Sequence, residues 1–153
     1  MRKSYYAAHV YMIVGVVSGL FCREFTKIND FEGDTQLGLV HTHLLALGML
    51  VFLIVLGLDK LFGLSGSPLF TWFFWVYNGG LALTVAMMTV HGIQTVLGAH
   101  VPEAVPLCAG LGHIVLTVGL VLFFVLLGKR VPASRTAGEP AAGGERSAPA
   151  LED

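Results

Sequence analysis

Four long apolar stretches, separated by short polar segments, dominate the chain. They cover residues of about 4–22, 37–62, 69–97 and 105–128. An α-helix needs roughly 20 apolar residues to cross the hydrocarbon core of a bilayer, and each stretch is of about this length or longer. The pattern therefore predicts an all-α integral membrane protein, with a four-helix bundle over residues 1–130.

The polar segments indicate how the helices are connected. Charged residues predict a loop over 23–36, and a Gly-Ser-Pro sequence predicts a tight turn over 63–68. The aromatic run 70–77 is typical of the belts of aromatic side chains at bilayer interfaces. Pro102 and Pro106 bracket the last connection, and proline suits the first turn of a helix.

The first stretch follows Met1-Arg2-Lys3, a basic start that a secretory signal peptide would share. A cleavage site needs small residues, and the bulky Phe21 beside Cys22 does not suit one. We therefore expect this helix to be retained in the protein.

Basic residues favour an orientation with both termini in the cytoplasm. Only two of them, Arg23 and Lys27, then lie outside. The seven on the cytoplasmic side are Arg2, Lys3, Lys60, Lys129, Arg130, Arg135 and Arg146. Residues 131–153 are rich in Ala, Pro, Gly, Ser and Glu, which predicts a disordered cytoplasmic tail.

Composition narrows the classes of function. The chain of 153 residues is 55% hydrophobic and 12% charged, which leaves no room for a second, soluble domain. A net charge of −1 gives no indication of a nucleic acid partner. Cys22 and Cys108 are too few for a disulfide framework or a cysteine-rich zinc site. Both cysteines are predicted on the outer side of the membrane. They could form a single disulfide there or remain two unlinked thiols.

Histidines inside the apolar stretches are the main functional signal, because an ionisable group within a membrane span is costly. A rise of about 1.5 Å per residue sets their depth. The four in the outer part of three helices are His41, His43, His91 and His113. His100 falls in an outer loop, and only His9 falls toward the inner side.

The His41-Thr42-His43 element adds a geometric restriction. Residues two apart on an α-helix differ by about 200° in direction. The two imidazoles therefore cannot both bind one centre from a regular helix, and either of them could be the one that faces the bundle interior.

Imidazoles from three helices at one level predict a bound cofactor. Iron, copper and zinc all accept imidazole ligands. A copper or zinc ion could take His113, His91 and one member of the His41–His43 pair. A haem needs one or two axial histidines and an apolar slot between helices. The glycine-rich spans could make room for such a ring, or could only permit close packing of helices.

Three further side chains complete the candidates. Arg23 could pair with haem propionates or anchor the first helix at the interface. Gln94, three residues after His91, could orient that imidazole or bond to another helix. His9 could mark a separate haem or metal site on the inner side, or could be a packing histidine.

The second stretch also carries a family resemblance, in Val40-His41-Thr42-His43-Leu44-Leu45-Ala46-Leu47-Gly48. This segment resembles the His-x-His, Leu-rich, Gly element of small bacterial membrane proteins similar to haem-copper oxidase subunit I. Over about residues 4–128 the chain is also similar to an uncharacterised bacterial family of four-helix proteins with this element.

The resemblance implies a multi-pass protein of the bacterial cytoplasmic membrane with bound haem b. It implies His43 or His41 as one axial ligand and His113 or His91 as its partner. The oxidase subunit is a pseudo-threefold ring of four-helix units, so a homotrimer is implied as well. The chain lacks the His-His pair and the His-x-x-x-Tyr element that hold copper in the oxidases, so terminal oxidase activity is not implied.

The sequence therefore predicts a membrane b-type haem protein, with histidine ligands near the outer face, that serves electron transfer, haem handling or gas sensing. A copper or zinc protein, acting in metal handling or as a metal-dependent enzyme, is the first alternative. A structural membrane subunit without a cofactor is the second.

Overall fold

A computed structural model describes the backbone of residues 2–136 and the side chains of residues 2–131. The described part of the chain is all-α and contains no strand. Its four long helices are α1 Arg2–Ile28, α2 Leu37–Phe62, α3 Pro68–Val96 and α4 Ala104–Thr136. All four are long and apolar enough to cross a membrane, α4 over Ala104–Val131. The predicted fold class, a multi-pass helical membrane protein, is confirmed.

Two helices extend past their predicted ends. The segment 23–28, predicted as loop, continues α1, because Phe21 and Phe25 stack along it with ring centroids 5.2 Å apart. The Thr26 hydroxyl also donates to the Cys22 carbonyl at 2.9 Å. The helix ends just before Asp30, whose φ is 47°. Helix α4 continues through 131–136, the start of the predicted tail; the rest of that tail, 137–153, lies outside the described residues.

Helices α3 and α4 form the most extensive packing among the described residues. A Cβ added at Gly80 would lie 2.5 Å from the Leu116 backbone nitrogen, and one at Gly112 would lie 2.8 Å from the Thr84 nitrogen. A Cβ added at Gly119 would lie 2.9 Å from the Tyr77 Cα. These glycines therefore permit backbone-to-backbone approach of two helices, which is how small residues act in membrane bundles.

Gly80→Ala is expected to destabilise the protein by about 1–3 kcal/mol, because the new methyl group meets backbone that cannot turn aside. Gly79→Ala is the matched control, since a Cβ at Gly79 meets no atom within 4 Å. Thermal unfolding in detergent checks both. Equal melting temperatures for the two variants would contradict the close approach of α3 and α4.

The aromatic run 70–77 divides between two environments. Phe70, Phe73 and Tyr77 are buried, whereas Trp72 and Trp75 are 67% and 65% exposed. The interface belt predicted for the whole run was therefore wrong for the three buried side chains. They follow the helical repeat onto the inner face of α3, where the Phe73 ring packs on Phe123 of α4 at 5.1 Å between centroids.

Helix α2 is irregular in its middle. It is α-helical over Leu37–His43, π-helical over Leu44–Leu50 and α-helical again over Val51–Phe62. The Tyr77 hydroxyl of α3 donates to the Leu47 carbonyl of the π-helical segment at 2.9 Å. The seven residues Leu44–Leu50 are called the π-turn below.

The two ends of α2 pack against different neighbours. Leu37–His43 packs on α1 and α3, whereas the packing of α2 against α4 comes from Val51–Phe62. At the end of the bundle that carries the His-Thr-His element, α2 and α4 are therefore spread apart. A slot opens between them, with α3 as its back wall.

Candidate cofactor site

The slot between α2 and α4 contains a cavity of about 400 Å³. It is lined by Gln36, Leu39, His43, Met87, Met88, His91, Val105, Pro106, Ala109, Gly110 and His113. Three of the four histidines predicted to share the outer layer therefore meet at one cavity, one from each of α2, α3 and α4. We call this space the histidine slot.

His43 and His113 face each other across the slot. Their ring centroids are 6.2 Å apart, and their ring planes are nearly perpendicular, at 88°. His43 stands on α2 and His113 on α4, the two helices that are spread apart here. The pair therefore connects the two helices that line the sides of the slot.

Both rings are held in the same way by their own helices. His43 Nδ1 lies 2.9 Å from the Leu39 carbonyl oxygen, and His113 Nδ1 lies 2.9 Å from the Ala109 carbonyl oxygen. A carbonyl only accepts, so each Nδ1 must carry the proton and donate it. The neutral ring then has its lone pair on Nε2. This tautomer can bind a metal through Nε2.

His91 contributes the third imidazole, from α3. It is half-buried and lines the slot. Met87 and Met88, about one turn earlier on the same helix, line the slot too and bring two thioether sulfurs with them. This methionine pair was not predicted from the sequence, although its spacing of three and four residues before His91 places it on the same helical face.

His41 faces the other way, as the spacing of the His-Thr-His element predicts. It packs on α1, where a Cβ added at Gly19 would lie 3.5 Å from its Cβ and Cγ. Its Nδ1 is buried and has no hydrogen-bond partner among the described residues, and its Nε2 is 3.4 Å from the Thr42 hydroxyl. The structure thus settles which histidine of the pair reaches the slot: it is His43.

The other candidates lie away from the slot. Arg23 is exposed on α1, with Nε 3.8 Å from a Glu24 carboxylate oxygen. Gln94 does not line the slot, and its Oε1 is buried without a hydrogen-bond partner in the described part of the chain. His9 stacks on Tyr5 with centroids 6.1 Å apart, beside a separate cavity of about 100 Å³. His100 is exposed in the loop after α3.

The cysteines do not form the disulfide that the sequence left open. Cys22 on α1 and Cys108 on α4 are both unpaired. Helix α1 packs on α2, and α4 packs on α3, so these two helices are not the close neighbours that a bridge would need.

The slot differs from a three-ligand ion site. Over residues 2–131, no group of three or more His, Cys, Asp or Glu side chains is close enough to hold a metal ion. Zinc takes three or four such ligands. The arrangement that the side chains do form is a facing pair of imidazoles with thioethers and apolar groups around it.

The chain belongs to the family DUF2871, proteins of unknown function, whose sequence model matches residues 1–130. This match covers the whole predicted transmembrane domain, and it confirms the predicted membership in an uncharacterised family. No similarity to a curated protein or to a solved structure was found.

Proposed function

We propose that this DUF2871 protein binds a b-type haem in the histidine slot, with His43 and His113 as its axial ligands, and that it transfers electrons. The observation that carries the proposal is the facing pair of imidazoles, each with Nδ1 hydrogen-bonded to its own helix. Those bonds leave two Nε2 lone pairs free at one slot between two helices.

The spacing of the two rings supports this assignment. Metal–imidazole bonds are about 2.0–2.1 Å long, and Nε2 lies about 1.1 Å from the centre of its ring. Two rings that share one iron in a linear arrangement therefore have centroids roughly 6 Å apart. The rings of His43 and His113 have 6.2 Å between their centroids.

The surroundings of the pair suit a planar apolar ring more than a hydrated ion. Leu39, Val105 and Pro106 line the slot with aliphatic groups, and the spread between α2 and α4 opens it to the side. A haem edge could enter there without moving α3 or its packing on α4. Axial ligands, burial and nearby hydrogen bonds are the means by which a protein tunes such a group.

Two axial histidines favour electron transfer over the other roles considered for a haem. A haem with both axial positions taken by protein offers no open position for oxygen or another gas. Gas sensing would require one imidazole to leave, and haem handling would require weak ligation. The hydrogen bond from each ring to a carbonyl of its own helix holds both imidazoles in place and favours lasting ligation.

We further propose that the slot lies at the outer face and that both termini are cytoplasmic, on the strength of the basic residues. The likeness to a four-helix unit of haem-copper oxidase subunit I, with the homotrimer that it implies, also stays a prediction. Mass photometry of the protein in nanodiscs would test the trimer.

The test of haem binding is an optical one. The protein is expressed with haem precursor supplied, purified in detergent, and recorded as a reduced-minus-oxidised difference spectrum. One haem b per chain, with the sharp bands of a low-spin form, is the expected result. A featureless Soret region after haem supplementation would rule the proposal out.

Copper is the second candidate, because of the methionine pair. Thioether sulfur and imidazole together suit Cu(I), and Met87, Met88 and His91 all come to the slot from α3. Elemental analysis separates the two candidates, since stoichiometric copper without iron favours metal handling over electron transfer by haem. A cofactor-free structural subunit predicts neither metal.

A further inference from the structure

We propose that Tyr77 is a positioning residue for the histidine slot: its hydroxyl holds the π-turn of α2, and the π-turn sets the direction in which His43 faces. The haem readout of this inference rests on the proposed function. The cross-linking readout below is independent of it.

The π-turn begins at the residue after His43. In a regular α-helix the Leu47 carbonyl accepts from the backbone N–H of Val51. Here the Val51 N–H is directed to the Gly48 carbonyl instead. The Tyr77 hydroxyl donates to the Leu47 carbonyl at 2.9 Å. The Tyr77 hydroxyl thus takes the place of the Val51 N–H as the donor to the Leu47 carbonyl. A π-turn inside a membrane helix needs such a donor, because no water is present to bond the carbonyl.

The position of Tyr77 is fixed by packing contacts that do not depend on this hydrogen bond. It is fully buried, with 0% of its surface exposed. Its ring packs against Phe52 and Phe73, with centroids 5.7 Å and 5.6 Å away. Gly119 of α4 lies against its backbone. The hydroxyl therefore reaches Leu47 from a rigid base formed by α3 and α4.

A π-turn holds one more residue than a regular α-helix of the same length. One residue corresponds to about 100° of rotation, so the helix before the turn is rotated by that angle relative to the helix after it. Val51–Phe62 is fixed by its packing, since Phe52 and Val55 are completely buried. If the π-turn closed to a regular helix with the same residues, His43 would turn by about 100° away from His113.

The matched pair of variants is Tyr77→Phe and Tyr11→Phe. Tyr77→Phe keeps the packed ring and removes only the bond to Leu47. Tyr11→Phe removes a comparable bond, from the Tyr11 hydroxyl to Asn78 Oδ1 at 2.6 Å, which does not involve the backbone of α2. Each variant loses one part-buried hydrogen bond, but only Tyr77→Phe releases the π-turn.

The readout is chemical cross-linking between positions 43 and 113. In a chain with Cys22 and Cys108 replaced by alanine, the pair His43→Cys and His113→Cys is treated with a short bifunctional thiol reagent. With Tyr77 present the pair is expected to cross-link, and with Tyr77→Phe the yield should fall by on the order of tenfold. Tyr11→Phe should leave the yield unchanged. Equal yields in the two variants would overturn the inference.

A rescue variant guards against a general loss of folding. Ala46 is an exposed residue within the π-turn. Its deletion removes the one extra residue, so that the segment can form a regular α-helix while the flanking segments keep their original faces. In the deletion background Tyr77→Phe should no longer lower the cross-linking yield. A loss of yield that the deletion does not restore would show that Tyr77 acts only in general packing.

The spin state of bound haem tests whether Tyr77 also affects haem binding. In the chain with its histidines, Tyr77→Phe should convert a low-spin spectrum to a partly high-spin one, and Tyr11→Phe should not. If the protein binds no haem but the cross-linking follows the pattern above, the positioning role stands and the proposed function fails.

Discussion

His43→Ala and His113→Ala are each expected to abolish the low-spin haem spectrum, and together they should abolish haem retention. Each single variant leaves one of the two proposed axial imidazoles, so a weakly held, high-spin haem should remain, with at least about a tenfold higher dissociation constant. Added imidazole should restore the low-spin form in the single variants. Spectral titration with haem measures all three effects.

Two other histidines provide the controls. His41→Ala removes the neighbouring imidazole, which packs on α1, and His100→Ala removes an exposed one in the loop. Both should keep the wild-type spectrum. If His41→Ala removed the haem while His43→Ala kept it, the assignment of His43 to the slot would be wrong.

Ala109→Phe is expected to exclude haem while it leaves both ligands in place. Ala109 lines the slot one turn before His113, so a phenyl ring at this position fills the space between α2 and α4. Haem occupancy should fall by at least about tenfold, and the thermal stability of the apoprotein should change little. The measurement is haem content per chain after expression with precursor supplied.

Leu111→Phe is the matched control, on the same helix but 53% exposed and away from the slot. It should bind haem as the parent does. Equal haem content in the two variants would show that haem, if bound, lies somewhere other than the histidine slot.

The transmembrane helices could be predicted because their signal is long and strong. Each apolar stretch is long enough to cross a bilayer, and residues 2–136 form four helices of this kind. The histidine layer could be predicted for the same reason, since depth along a straight helix follows from counting residues. That three of these side chains meet at one slot required the three-dimensional packing.

Three features could not be predicted because they depend on a partner helix. The π-turn forms where Tyr77 of α3 meets Leu47 of α2, and neither residue alone signals it. Burial of Phe73 depends on Phe123 of α4. The use of Gly80 and Gly112 in close helix packing, and not in a ring-sized gap, depends on the register of α3 against α4.

One buried carboxylate was also missed. Asp59 is 2% exposed near the end of α2, and its Oδ1 accepts from the Ser65 backbone N–H at 2.6 Å. Asp59 lies near the end of an apolar stretch, where a charged side chain is expected at the membrane interface. Its tie to the α2–α3 turn explains its place in the fold and lies at the opposite end of α2 from the slot.

The most direct test of the account is the electron paramagnetic resonance spectrum of the oxidised, haem-loaded protein. If His43 and His113 keep the 88° between their ring planes when they hold the haem, the oxidised protein would give a highly anisotropic low-spin ferric signal. Parallel planes give an ordinary rhombic signal. We expect the highly anisotropic form in the parent protein and its loss in both His43→Ala and His113→Ala. A purified protein without any low-spin ferric signal, or one whose signal survives both substitutions, would contradict it.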